Sequence, residues 1–276
     1  MNRKQRRAAG RPSSTTQASD WSVQDLFADA IQHHRAGRPI EAGKRCRQIL
    51  FVNPRHADSL HLLGISAFQA GRLDLAVDLI GKALAVKPDF PEALNDLGNA
   101  FVGCSRLDDA IASYRKALRL KPNYSDAHMN LGRALLQQGK LTEAAITYRE
   151  ALDLKADNAE ALNNLGNILG DLGKPDEAIV CYRKALIFSP GYVEAHNNLG
   201  VTLQSLGRLD DASASYLRAL KIRPDFVMAL NNLASALITQ GKPTAALNVV
   251  KRSLQIEESS DAKGMFVSCL SRMRVA

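Results

Sequence analysis

Aromatic side chains make up only 5% of the 276 residues, with a single Trp. A β-sandwich or barrel would want more Tyr, Phe and Val in its core. Helices packed through Ala, Leu and Gly would not, so a hydrophobic fraction of 46% at this aromatic content reads as all-α. The four cysteines, Cys46, Cys104, Cys181 and Cys269, stand far apart with no CxxC pair. That excludes the usual zinc spacings and a small disulfide framework, and it fits a reducing, cytoplasmic setting. No run approaches the roughly 18 apolar residues of a membrane span, and no apolar core follows the basic N-terminus as it would in a secretory signal.

Catalytic signatures are also missing. There is no dinucleotide-binding glycine fingerprint, and Gly166 to Lys174 has the wrong spacing for a P-loop. His33-His34 and His56 with His61 lack a Cys, Asp or Glu that would complete a metal set at a motif spacing. His128 and His196 share a column otherwise held by Leu60, Leu94, Leu162 and Leu230, which predicts packed histidines. The expectation is therefore no enzyme, no cofactor and no metal.

The formal net charge is +8. Half of that excess lies in residues 1–22, where Arg3, Lys4, Arg6, Arg7 and Arg11 face only Asp20. This segment has almost no large apolar side chains and is expected to be a disordered basic tail, because it cannot bury enough surface to offset ordering entropy. A solubilising extension, an arm for RNA or phosphate, and a transit segment are its three readings. The absence of Leu, Ile, Phe and Val opposes the last.

What the chain has in abundance is period. A small residue recurs every 34 positions at Ala42, Ala76, Ala110, Ala144, Ala178, Ala212 and Ala246, and glycine does so at Gly64, Gly98, Gly132, Gly166 and Gly200. Fixed self-similarity at this length marks a repeat array. Seven units follow, 23–56, 57–90, 91–124, 125–158, 159–192, 193–226 and 227–260. In the unit from Ala159, Leu162, Leu165, Gly166 and Leu169 lie at helical spacing until Gly173-Lys174 breaks the pattern. A second helix then opens at Pro175 with Asp176 and Glu177 at its positive end and stops at Ser189-Pro190. The glycine column is expected to face the alanine column where the two helices of a unit cross.

These columns (glycine, Gly-Lys/Arg turn, Ala, Tyr, Ala-Leu, Pro) resemble the tetratricopeptide repeat from about Val23 to Ser260. The resemblance implies a right-handed αα superhelix, a solenoid of about seven helix-turn-helix units whose first helices line a concave groove. The end units depart from the pattern, with Cys46 in the Tyr column and Ala234 and Val250 in the Gly and Tyr columns, as capping repeats do. Residues 261–276 carry Met265, Phe266, Cys269 and Leu270 at helical spacing and read as a capping helix over the last repeat, or as a docking helix or linker.

One polar feature does not follow from packing. Asparagine pairs, Asn163-Asn164, Asn197-Asn198 and Asn231-Asn232, recur mid-helix, with Asn95-Asp96 and Asn130 at equivalent places. Asparagine is a middling helix former, so propensity does not account for them. In the family these positions fall on the inner face, and the pattern is similar to the asparagine ladder in the repeat region of O-linked N-acetylglucosamine transferases. A carboxamide both donates and accepts, so a row of them can hold an extended peptide by its backbone. Asn99, Arg133 and Asn167, one residue beyond the glycine, would share that groove. The competing reading is that the asparagines bond one repeat to the next.

An acidic column, Asp58, Glu92, Asp126, Glu160 and Glu194, begins the first helices, where capping and the helix dipole already account for acids, and it disfavours a polyphosphate partner in the groove. A basic column, Arg38, Arg72, Arg106, Lys140, Lys174, Arg208 and Lys242, follows the turns, either as a solvated edge or as a contact for an acidic partner. The function expected is a scaffold for a protein or peptide, with no membrane or nucleic-acid partner, and with self-association through the terminal repeats left open. A chain that recruits substrate for a separate transferase, glycosyl or methyl, is the alternative, because bacterial transferases resemble this arrangement in front of their catalytic domains.

Overall fold

The computed structural model describes residues 22–275; the expected tail over residues 1–22 falls outside it except for Ser22. Fifteen helices account for nearly all of the described residues. Two compact units divide between Pro88 and Asp89.

The first unit contains α1 (Val23–Arg35), α2 (Pro39–Val52), α3 (Ala57–Gln69) and α4 (Leu73–Val86). Ser22 caps α1 by accepting from the Asp25 N–H while the Asp25 carboxylate reaches back to the Ser22 N–H, a capping box that satisfies two end donors at once. Ala30, Cys46 and Leu62 form a core here, with Phe27, Ile31 and Leu63 packed on it. Burial pushes the Cys46 thiol up to about 11, so it stays protonated and behaves as a small apolar side chain.

The second unit runs through α5 (Pro91–Gly103), α6 (Leu107–Leu120), α7 (Ser125–Gln137), α8 (Leu141–Leu154), α9 (Ala159–Asp171), α10 (Pro175–Phe188), α11 (Val193–Ser205), α12 (Leu209–Ile222), α13 (Val227–Thr239), α14 (Pro243–Ile256) and α15 (Ser260–Val275). Helices pair in sequence order, and from α7 to α13 the first helix of each pair also packs against the second helix of the pair before it. One continuous core results, from Ala110 and Tyr114 through Tyr148 and Tyr182 to Ala236.

The turn between paired helices needs one left-handed residue, and Gly173 supplies it at φ +71. Ser105 takes the same conformation at φ 60, so the departure from glycine there leaves the turn intact at some cost in strain.

The nearest neighbour of the glycine column is the large side chain of the second helix, which the sequence had not singled out. A Cβ on Gly166 would lie 2.6 Å from Cε1 of Tyr182, and one on Gly200 2.5 Å from Cε1 of Tyr216. Gly98 meets Tyr114 in the same way, and in the first unit Gly64 meets Ile80. The glycine therefore makes room for the large side chain of the second helix, which fills the crossing. At the C-terminal end, α15 buries Ala262 and Cys269 against Ala234, Ala246, Leu247 and Val250, with Met265 and Phe266 alongside; Leu270 turns outward and is 38% exposed.

Candidate functional site

The polar residues of the first helices in the second unit form two rows. The inner row is buried: Asn95 and Asn163 are 4% exposed and Asn197 is 2% exposed. The outer row, Asp96, Asn130, Asn164, Asn198 and Asn232, is half-buried. The rows are joined from repeat to repeat by one recurring bond. The Asn130 Nδ2 donates to Asn95 Oδ1 at 2.9 Å, Asn198 Nδ2 to Asn163 Oδ1 at 3.1 Å, and Asn232 Nδ2 to Asn197 Oδ1 at 3.0 Å. Each bond spans 35 residues, one repeat plus one, so the ladder is a stack of carboxamides in which each outer member ties down the inner member of the repeat before it.

The ladder is interrupted where its pattern fails. Met129 holds the inner position that Asn164 would use, and Asn164 donates instead to the Tyr148 hydroxyl at 3.2 Å. Asn231, in the last repeat, accepts from Ser253 Oγ at 2.6 Å. Asn95 also donates to its neighbour Asp96 at 3.3 Å.

The third set, one residue past the glycine, joins the same network. Asn99 and Asn167 accept from the hydroxyls of Tyr114 and Tyr182, both at 2.8 Å, and Asn167 also accepts from Asn198 at 3.0 Å. Arg133 donates to Asn130 Oδ1 at 2.6 Å and lies 3.8 Å from the Glu160 carboxylate. Sequence reasoning assigned the tyrosines to the core alone. Their rings are buried there, yet each hydroxyl crosses to the first-helix face and fixes a polar side chain on it; Tyr216, with Val201 in the position of Asn167, donates to Gln204 at 2.9 Å. The spacing of 15 residues from Asn99 to Tyr114, repeated from Asn167 to Tyr182, is the signal that would have found this. Burial pushes the Tyr148 and Tyr182 hydroxyls up to about 12, which keeps them protonated.

The charge columns are largely used within the repeats. Glu92 pairs with Lys121 at 2.9 Å, Glu194 with Arg223 at 3.0 Å, and Asp58 with Lys87 at 3.8 Å, so these three acids at the start of a first helix meet a cation just past the end of the second. In the basic column, Arg106, Lys174 and Arg208 each pair with an acid three residues on. His128 and His196 are buried, with Nε2 2.8 Å from the Pro122 carbonyl and 3.0 Å from the Pro190 carbonyl, and so fasten the loop that enters their own repeat. No helix among the described residues is long and apolar enough to cross a membrane.

Comparison with known proteins agrees with this architecture. Three models described as "Tetratricopeptide repeat" match, the first over residues 33–89, 61–125 and 95–161, the second over 159–192 and 193–226, and the third over 227–258. The chain belongs to the tetratricopeptide repeat family. No curated protein matches it. Among solved structures it is similar to MamA, at 25% identity over 60% of this chain and 91% of that one, with a TM-score of 0.57. It also shares its fold with YrrB, described as "a TPR protein with an unusual peptide-binding site", at 20% identity over 71% of this chain and 97% of that one, TM-score 0.58. The fold is shared too with PilF of Pseudomonas aeruginosa, at 20% identity over 76% and 96%, TM-score 0.66. These matches identify the repeat and carry no assignment to a transferase.

Proposed function

We propose that this tetratricopeptide repeat protein is a non-catalytic scaffold that holds an extended peptide of a partner protein along its first-helix face. The observation that carries the reading is the division of labour in the ladder. The inner asparagines are spent on holding the repeats together, and the outer Asn198 and Asn232 are held half-exposed in fixed orientations by that same bond, as Asn164 is by Tyr148. Both N–H groups of Asn198 are engaged by Asn163 and Asn167, while its Oδ1, like those of Asn164 and Asn232, accepts no bond among the described residues. An oriented carbonyl in each of these three successive repeats is a ready acceptor for the N–H of an extended chain. Packed helices stand about 8–10 Å apart, so one acceptor serves about three residues of a strand. Immobilising the carboxamides in advance lowers the ordering cost of binding.

Arg133, Asn99 and Asn167 flank the row and would select side chains, while Asn95, Asn163 and Asn197 act through the outer row and Asn231 through Ser253. The peptide-binding site in the description of YrrB supports the class of ligand, on fold alone. The test is a pull-down by the full chain from its native host, with the captured partner then titrated against Arg133→Ala/Asn164→Ala. This pair leaves every Asn–Asn bond between repeats in place. Affinity at least tenfold weaker, with unchanged helical circular dichroism, is the expected result; unchanged affinity would exclude the outer row as the binding surface.

A further inference from the structure

On the opposite side of the second unit, two of the grooves between successive second helices are strapped. Arg115 on α6 reaches Glu143 on α8 at 2.6 Å, and Arg149 on α8 reaches Glu177 on α10 at 3.6 Å. Each strap joins residues 28 apart. The next pair in that register is Arg183 on α10 and Asp211 on α12, and there no strap forms. Asp211 is one methylene shorter than glutamate and is drawn back by Arg208, whose Nε and Nη2 donate to it at 3.0 and 2.6 Å. Glu177, with the longer side chain, serves Arg149 while also lying 3.2 Å from Lys174, the residue just before its own helix.

The groove left open between α10 and α12 has a cavity of about 620 Å³, within the ~300–1,000 Å³ of ligand-binding clefts. Leu186, Leu199 and Leu203 line it, and the rims carry Ile187, 73% exposed, and Ile222, 44% exposed. Arg183, Arg218 and Lys221 stand along the same groove with no ion-pair partner among the described residues. In the first unit the groove between α2 and α4 sets Arg47 against Leu75 instead of an acid, and it too is open, with a cavity of about 280 Å³.

We infer that the α10–α12 groove is a second docking site, for an acidic amphipathic helical segment of another protein. Its apolar residues would sit on Leu186, Leu199 and Leu203, and its carboxylates would take the place at Arg183 that glutamate fills in the strapped grooves. Charge decides among the occupants. Three unpaired cations against one neutralised acid demand an anionic partner. The chain's own N-terminal segment, with five basic residues and one acid in positions 1–22, has the wrong sign, and a net charge of +8 opposes a second copy.

The probe is a fluorescein-labelled helical peptide of Glu and Leu, with Leu at i, i+3, i+4 and i+7, titrated by anisotropy against the full chain. A Lys/Leu peptide of the same pattern serves as the counterpart. The Glu/Leu peptide should bind, more weakly as salt rises, and at least tenfold more weakly to Arg183→Glu/Arg218→Glu. Asp211→Glu, which lengthens the acid enough to rebuild the strap, should weaken it by a similar factor without changing the thermal midpoint. Arg133→Ala/Asn164→Ala should bind the peptide as the wild type does, which separates this site from the first-helix face. Equal binding of the Lys/Leu peptide, or equal binding by both groove variants, would overturn the inference. So would self-association in sedimentation that disappears in Arg183→Glu/Arg218→Glu, since the occupant would then be a second copy.

Discussion

Gly166 shows how a single residue sets the spacing of a helix pair. Its missing side chain is occupied by the Tyr182 ring, whose own hydroxyl is held by Asn167, so the ring cannot swing aside without breaking a bond on the first-helix face. Gly166→Ala is expected to cost about 1–3 kcal/mol through overpacking. Gly132→Ala should cost less, because a Cβ there meets the Tyr148 ring at 3.0 Å rather than 2.6 Å. Urea denaturation of the two variants measures the difference, and equal midpoints would contradict it. The column itself was legible in the sequence, while its partner was not. At a strict period of 34 both Ala178 and Tyr182 recur at constant offset from Gly166, and only the crossing geometry decides which one fills the gap. A second residue carries a pH dependence. Burial lowers the His196 pKa below its usual value near 6.5, with Arg218 adding to the effect and the bond to the Pro190 carbonyl opposing it. The unfolded chain therefore takes up the proton first as pH falls, and the stability that neutral His196 contributes above pH 6.5 is lost progressively below it. His196→Leu, the residue its column carries at Leu162 and Leu230, should flatten the decline in thermal midpoint between pH 7.5 and 5; an unaltered decline would assign it to other groups.

At the scale of the helix, the ladder explains why asparagine persists where helix propensity disfavours it. A buried acceptor such as Asn197 Oδ1 is tolerable only while Asn232 donates to it. Asn232→Ala leaves it unpaired, which should lower stability by about 1–3 kcal/mol. Adding Asn197→Met removes the orphaned acceptor and should restore most of the loss, because removing both partners is far less costly than removing one. Met129, an apolar residue already at that position in another repeat, is the natural precedent. Chemical denaturation of the single and double variants checks the sign; a double variant less stable than Asn232→Ala would contradict the pairing argument. The asparagine rows were readable from the sequence as a recurring anomaly, and both readings of them, partner contact and repeat-to-repeat bonding, were available. What the sequence could not supply was the offset of 35 that separates an inner from an outer residue, since two adjacent helix positions point about 100° apart and only packing says which one is buried. The tyrosine hydroxyls were hidden for a similar reason. A Tyr column reads as core from its period, and the direction of its polar tip depends on the crossing that the glycine permits.

At the scale of the whole chain, stability is distributed between neighbours, and that makes the register itself testable. Each repeat presents the same apolar faces before and behind, so a stack can lose one member and close again if the join falls at equivalent positions. Deletion of residues 159–192 joins Asn158 to Val193 in register and brings α8 against α11, where Tyr148 and Ala151 present the surface that Tyr182 and Ala185 now offer. The shortened chain should keep its helical content per residue and unfold with a smaller m-value, since less surface is exposed on denaturation. It should also be less stable, for a reason that can be named. Asn198 would face Met129 in place of Asn163, so one rung of the ladder would be missing. Deleting 159–188 instead, four residues short of a repeat, leaves a second stretch of loop sequence before α11 and displaces its apolar face from the core left by α8. Circular dichroism and urea denaturation of the two deletions distinguish period from mere length. If the out-of-register chain folded as well as the in-register one, the 34-residue unit would not be what holds the array together.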